Sequence, residues 1–139
     1  MHTALVLVVD DDPDSRALLE LALSIQGYEV SSAANGKAAL DSARQHRPDV
    51  ILLDLAMPIM DGFGFRAAQL RDPAIAPIPV ICVSGRHDAY EATRALNLAG
   101  CVGKPFSLDE IVFRVADVIG RAANSTDPAP RSGGGEACS

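Results

Sequence analysis

Basic residues are in short supply in this chain. Twelve Lys and Arg stand against eighteen Asp and Glu, for a formal net charge of -6. Binding to a phosphate backbone is dominated by Lys and Arg, so a direct nucleic-acid surface is disfavoured. Long apolar runs are missing too. The first, over residues 4–9, is far shorter than a membrane span and is stopped by Asp10, Asp11 and Asp12, which argues against an anchor or a signal peptide. Cysteine is sparse: Cys82, Cys101 and Cys138 show neither metal-ligand spacing nor an even count, which suits a reducing compartment. The expectations are a cytoplasmic protein, no membrane contact and no disulfide.

What the chain does have is enough apolar material for one compact core. At 139 residues and 48% hydrophobic content it is too short for two comfortable domains. Short β-rich apolar runs alternate with longer segments of helical periodicity, the pattern of a parallel sheet covered by helices on both faces. Strands are predicted over 5–9, 29–33, 50–53, 80–83 and around 101–102, and helices over 13–26, 36–46, 64–71, 88–98 and 108–122. Three of the strands are almost wholly apolar, as strands buried on both faces should be.

The punctuation agrees. Pro13 sits where a first helical turn tolerates it, Gly27 follows the first helix as a stop, and Ser107 with Glu110 forms a capping box for the last. Val112, Phe113 and Val115 on that last helix read as core residues. From Asn124 the sequence turns Pro-, Ser- and Gly-rich and lacks the apolar content to offset ordering entropy. The division expected is a folded domain over 1–123 and a disordered tail over 124–139.

Chemically loaded residues fall at strand ends. Asp10 and Asp11 follow the first strand, Asp54 the third, Ser84 the fourth and Lys104 the fifth. In an open parallel sheet ligands bind at the carboxyl edge where strand order reverses, and the first and third strands would flank that reversal. Carboxylates gathered there repel one another unless a cation lies among them, and an all-oxygen, partly hydrated site suits magnesium better than zinc or copper. Each feature has a bland alternative: Asp12 in the acidic run as a helix cap, Asp54 as a turn acid, Lys104-Pro105 as a rigid turn. Those alternatives do not explain acids, a hydroxyl and an amine terminating different strands at one edge.

The segments VVDDDP, LLDLAMPIMDG, VICVSG and GKPF, in this order and spacing, resemble the receiver domain of bacterial response regulators over residues 5–121. The resemblance implies a flavodoxin-like three-layer α/β sandwich, a five-stranded parallel sheet of order 2-1-3-4-5 with five helices on its two faces. It implies Asp54 as phosphoryl acceptor, and Asp10, Asp11, Asp54 and the backbone carbonyl of Ala56 as ligands of magnesium, with manganese as a substitute. Ser84 and Lys104 become phosphate contacts, and the peptide before Pro105 becomes cis. The implied donor is a phosphohistidine on a sensor histidine kinase or a histidine phosphotransfer protein, and the output is a switched contact with a downstream protein. Such a protein is no enzyme with external turnover, since it catalyses only its own phosphorylation and slow dephosphorylation. A monomer or weak dimer is expected, acting alone or as the receiver part of a longer chain.

One departure from the family pattern and one pair of residues bear on regulation. Cys101 stands three residues before Lys104, where receivers usually carry a Tyr or Phe that turns inward as the hydroxyl residue moves, so weaker coupling between Asp54 and the surface near the fifth strand is expected. Ala56 offers no side chain to orient a water, and Arg86, two residues after Ser84, either lies across the phosphoryl group, so that both slow its hydrolysis, or points to solvent at the start of the fourth helix. The competing reading from another class is a pseudo-receiver that binds proteins without regulated phosphorylation, against which the complete set of acids, hydroxyl and lysine speaks.

Overall fold

The computed structural model describes residues 3–55, 57, 59–85 and 94–125. Five strands, β1 (Leu5–Val9), β2 (Glu29–Ala33), β3 (Val50–Asp54), β4 (Val80–Ser84) and β5 (Gly100–Gly103), form one sheet in the order β2-β1-β3-β4-β5. Every pairing is parallel. Four helices are described: α1 (Pro13–Ile25), α2 (Gly36–Gln45), α3 (Gly62–Leu70) and α4 (Leu108–Ser125). None among the described residues is long and apolar enough to cross a membrane.

The sheet divides the core by the two-residue period of extended chain. Val6 and Val8, Val50 and Leu52, and Ile81 and Val83 face one way, against Leu19 and Leu23 of α1 and Ile111, Val115 and Val118 of α4. Leu7 and Val9, Ile51 and Leu53, and Val80 and Cys82 face the other way, against Ala39, Leu40 and Ala43 of α2 and Phe65 of α3. This two-sided burial is why β1, β3 and β4 carry continuous apolar runs while the edge strands β2 and β5 do not.

Helix ends follow local chemistry. The Asp12 side chain accepts from the backbone N–H groups of Asp14 and Ser15 and caps α1. At the other end Gly27, at φ 96°, closes a Schellman motif in which Gly27 N–H donates to the Ser24 carbonyl and Tyr28 N–H to that of Leu23. Ser107 Oγ accepts from Glu110 N–H at 3.0 Å and caps α4.

Several expectations change. α3 begins at Gly62, two residues before the predicted start, because Asp61 caps it by accepting from Gly64 N–H at 2.9 Å; the two glycines in its first turn disguised it as loop. β3 and β4 each extend one residue further, so Asp54 and Ser84 end their strands rather than follow them. α4 runs three residues beyond its predicted end. Val115 is core and Val112 is partly buried, but Phe113 is 66% exposed. Of the helix expected over 88–98, residues 94–95 are helical and 88–93 lie outside the described residues. So does nearly all of the predicted tail.

A buried polar network ties α3 to the far end of the sheet. The Arg66 guanidinium donates to the backbone carbonyls of Leu96 (3.0 Å) and Asn97 (2.9 Å) and to Gln69 Oε1 (2.8 Å). Gln69 Nε2 donates onward to the carbonyls of Ile75 and Ile78. Burial pulls the Arg66 pKa below its ordinary value, a cost that these acceptors offset.

Gln69→Leu should therefore lower stability by about 2 kcal/mol, because it strips partners from buried carbonyls without opening a cavity. The measurement is urea denaturation, with a reduced midpoint and an unchanged slope. An unchanged midpoint would show that the network contributes nothing.

Candidate functional site

The sheet delivers its reactive side chains through register. Val9 of β1 pairs with Leu53 of β3, so Asp10 and Asp54 leave adjacent strands one residue later, side by side. Asp54 pairs with Val83, which places Ser84 next along β4, and Ser84 pairs with Gly103, immediately before Lys104. Because all five strands run the same way, Asp10, Asp11, Asp54, Ser84 and Lys104 gather at one edge. The edge lies beside the reversal in strand order, where an open α/β sheet offers a crevice.

Asp10, Asp54 and Ser84 are 2%, 4% and 3% exposed, whereas Asp11 is open to solvent. One carboxylate oxygen from each of Asp10, Asp11 and Asp54 lies within 4.8 Å of the others. Lys104 Nζ donates to Asp54 Oδ2 at 3.1 Å, and the Lys104–Pro105 peptide is cis. Lys104 N–H also donates to the Ser84 carbonyl at 2.8 Å, extending the β4–β5 pairing to the lysine itself.

Burial raises the Asp10 pKa most; the backbone N–H of Asp12 opposes this, and repulsion from Asp54 and Asp11 adds to it against the attraction of Lys104. The Asp12 carboxyl is held low, chiefly by the Ser15 hydroxyl, as befits a helix cap. A buried carboxylate crowded by two others is relieved by a cation, and an all-oxygen donor set fits a hard divalent ion rather than zinc or copper. The residues present fit such an ion.

Sequence reasoning missed the fittings that hold this edge in place. Arg16, one turn into α1, donates from Nη1 to the Asp10 carbonyl at 2.7 Å and pins the acidic turn. The segment after β3 is tied at both ends: Gly62 N–H donates to the Leu55 carbonyl and Gly36 N–H to that of Met60. A Cβ on Gly62 would meet Leu55 Cα at 2.7 Å, so only glycine lets α3 start this close to Asp54. Ala56 and Arg86 lie outside the described residues.

One expectation fails outright. Cys82 and Cys101 are joined as a disulfide. They are direct partners across β4 and β5 with Cα atoms 4.5 Å apart, inside the range a disulfide spans. The cysteine count had been read along the chain, whereas adjacency of the fourth and fifth strands brings these two together across it.

Comparison with known proteins points the same way as the geometry. The family model of the response regulator receiver domain matches residues 6–116. Transcriptional regulatory protein KdpE of Mycobacterium tuberculosis is 40% identical over 120 residues, which cover 84% of this chain and 51% of that protein. The chain thus spans about half the length of the curated relatives it matches. Among solved structures, chemotaxis protein CheY4 of Vibrio cholerae superposes with a TM-score of 0.78 at 31% identity, covering 84% of this chain and 99% of that one. The receiver domain of Francisella response regulator 1452 gives 0.78 at 29% identity, over 86% and 99%.

The raised Asp10 pKa has a definite sign in stability. A carboxyl whose folded pKa lies above its unfolded value contributes full stability below the unfolded value, 3.8, and loses it as pH rises through the folded one. In chelator, Asp10→Asn should be more stable than the wild type, by a margin that widens as pH rises above 3.8. Added magnesium should stabilise the wild type and leave the variant unmoved. Urea titrations across pH read both effects, and a margin that shrinks with rising pH would refute the account.

Proposed function

The chain belongs to the response regulator receiver domain family, and from that premise we propose that it accepts a phosphoryl group on Asp54 and signals through the change this makes at Ser84 and Lys104. The observation that carries the reading is a nucleophilic carboxylate, Asp54, held between two further acids within 4.8 Å and a lysine at 3.1 Å. Phosphoryl transfer asks the protein for little besides in-line positioning and neutralisation of the equatorial oxygens.

The roles of the side chains follow. Asp54 attacks directly through a carboxylate oxygen. Its Oδ2 is oriented by Lys104, whose ammonium also meets charge on the arriving phosphoryl oxygens. Asp10, Asp11 and Asp54 would hold magnesium, which when bound supplies further neutralisation of those oxygens. The donor is a phosphohistidine of a sensor histidine kinase or a histidine phosphotransfer protein. Its P–N bond breaks as the Asp54 O–P bond forms, and the electron pair returns to the imidazole nitrogen.

The new acyl phosphate adds acceptor oxygens beside the Ser84 hydroxyl, and that hydroxyl follows them only if the end of β4 shifts. That displacement is the output, read by a downstream protein in the cytoplasm. The longer relatives named as transcriptional regulators support a role in controlling gene expression, whether this chain docks onto an effector or forms part of a longer regulator.

Intact-mass analysis after incubation with a small phosphodonor and magnesium tests the chemistry. A phosphate-sized gain is expected in the wild type and none in Asp54→Ala. Lys104→Met should slow labelling on the order of a hundredfold, the usual cost of removing one preorganised charge-stabilising group. Equal labelling of wild type and Asp54→Ala would overturn the assignment, and no labelling of either would favour a phosphorylation-independent binding module.

A further inference from the structure

The disulfide sits where it can act on the site. Cys82 is two residues before Ser84 on β4, and Cys101 is three before Lys104 on β5. Cys82 and Ser84 share one face of β4 by the two-residue period, and the cross-linked rung lies two residues before the rung Ser84–Gly103, with Val83–Val102 between them. Cys82 is fully buried in the core against α2 and α3, whereas Cys101 on the edge strand is only partly buried. Cys82 is thus the more shielded of the pair and Cys101 the less buried.

We propose that Cys82 and Cys101 form a reversible thiol–disulfide couple that gates the response of Ser84 and Lys104 to phosphorylation, the reduced form being the responsive one. The inference rests on the Asp54 reading above. A bridge between β4 and β5 at Cys82–Cys101 restrains shear between the two strands, two residues before Ser84 and three before Lys104. When it is closed, Ser84 can follow a phosphoryl group only by deforming its own strand. When it is open, β4 can slide against an edge strand whose one strand partner among the described residues is β4.

The chemistry balances with a low-molecular-weight disulfide as oxidant. The Cys101 thiolate attacks one sulfur of that disulfide and expels a thiolate, leaving a mixed disulfide at Cys101. The Cys82 thiol then yields its proton to the solvent, and its sulfur attacks that of Cys101, expelling the second thiolate. Two protein thiols and one external disulfide become one protein disulfide and two external thiols, and two electrons pass to the reagent. Reduction is the reverse, opening at the more accessible Cys101.

Two measurements on the full chain with Cys138→Ser test this. Equilibration over a series of reduced-to-oxidised glutathione ratios, followed by alkylation and intact mass, should show two thiols appearing together and reversibly. Titration with beryllofluoride and magnesium, a stand-in for the acyl phosphate, should give an affinity at least about fivefold weaker in the oxidised form, the low end of ordinary coupling between sites. By reciprocity beryllofluoride must favour reduction by the same factor. Cys101→Ser should bind it equally at every glutathione ratio.

Thiols that alkylate at every ratio, or equal affinities in the two forms, would overturn the proposal. Failure of beryllofluoride to bind either form would refute the Asp54 site itself and the coupling with it. The alkylation series would still decide whether the couple exists.

Discussion

The constraint on which this structure turns is electrostatic: two nearly buried carboxylates and a third exposed one stand within 4.8 Å of each other at one edge of a sheet. Left to themselves they oppose folding. Burial and mutual repulsion both disfavour the ionised form of Asp10, and only the Asp12 N–H and the Lys104 ammonium act in the other direction. A protein optimised for stability alone would not keep such a cluster. Its retention here marks a place where charge is to be received, since whatever relieves the repulsion binds with the relief as its driving force.

The rest of the fold can be understood as the frame that makes the cluster tolerable. β1, β3 and β4 are buried on both faces by helices, so their direction and register are over-determined. A slip of one residue would exchange the two core faces. That rigidity is spent at the carboxyl edge, where the strands stop and their last side chains are polar. The turns there are not left loose. Arg16 holds the Asp10 carbonyl, Asp12 caps α1, and the Gly36 and Gly62 amides fasten the segment after Asp54. Small residues matter at this point because the α2 start approaches Met60 and the α3 start approaches Leu55 more closely than a Cβ allows.

Most of this was legible in the sequence, and the reasons differ by element. Continuous apolar runs identify the buried strands because burial on both faces removes any alternation. The acids, hydroxyl and lysine could be placed together because a parallel sheet sends every strand's C-terminus to one edge. Strand order also implied that the fourth and fifth strands are neighbours, yet Cys82 and Cys101 were counted rather than laid across that pairing. α3 was read two residues late because propensity penalises Gly62 and Gly64, while the Asp61 cap and the tight packing over Leu55 outweigh it. Arg16 left no trace beyond its position one helical turn from the cap, since an arginine on an exposed helix is most often solvated. Phe113 was assigned to the core by helical spacing, but α4 packs through Ile111, Val115 and Val118, and that stripe leaves Phe113 outside.

Lys104 depends on the weakest part of the frame. It is the counter-charge to Asp54, yet it hangs from β5, a four-residue edge strand paired with one strand and partly or fully exposed except at the buried Val102. Its backbone amide is held by the Ser84 carbonyl, so the lysine and the hydroxyl cannot move independently. Any displacement of the end of β4 carries the Lys104 backbone with it, and any constraint on β5 is felt at Ser84. The acids follow or end the central strands β1 and β3, Ser84 ends the doubly buried β4, and Lys104 follows the edge strand. On the function proposed above, a phosphoryl group on Asp54 would act on β4 and β5 through Ser84 and Lys104 rather than on β1, and the Cys82–Cys101 bridge crosses those two strands two residues before Ser84.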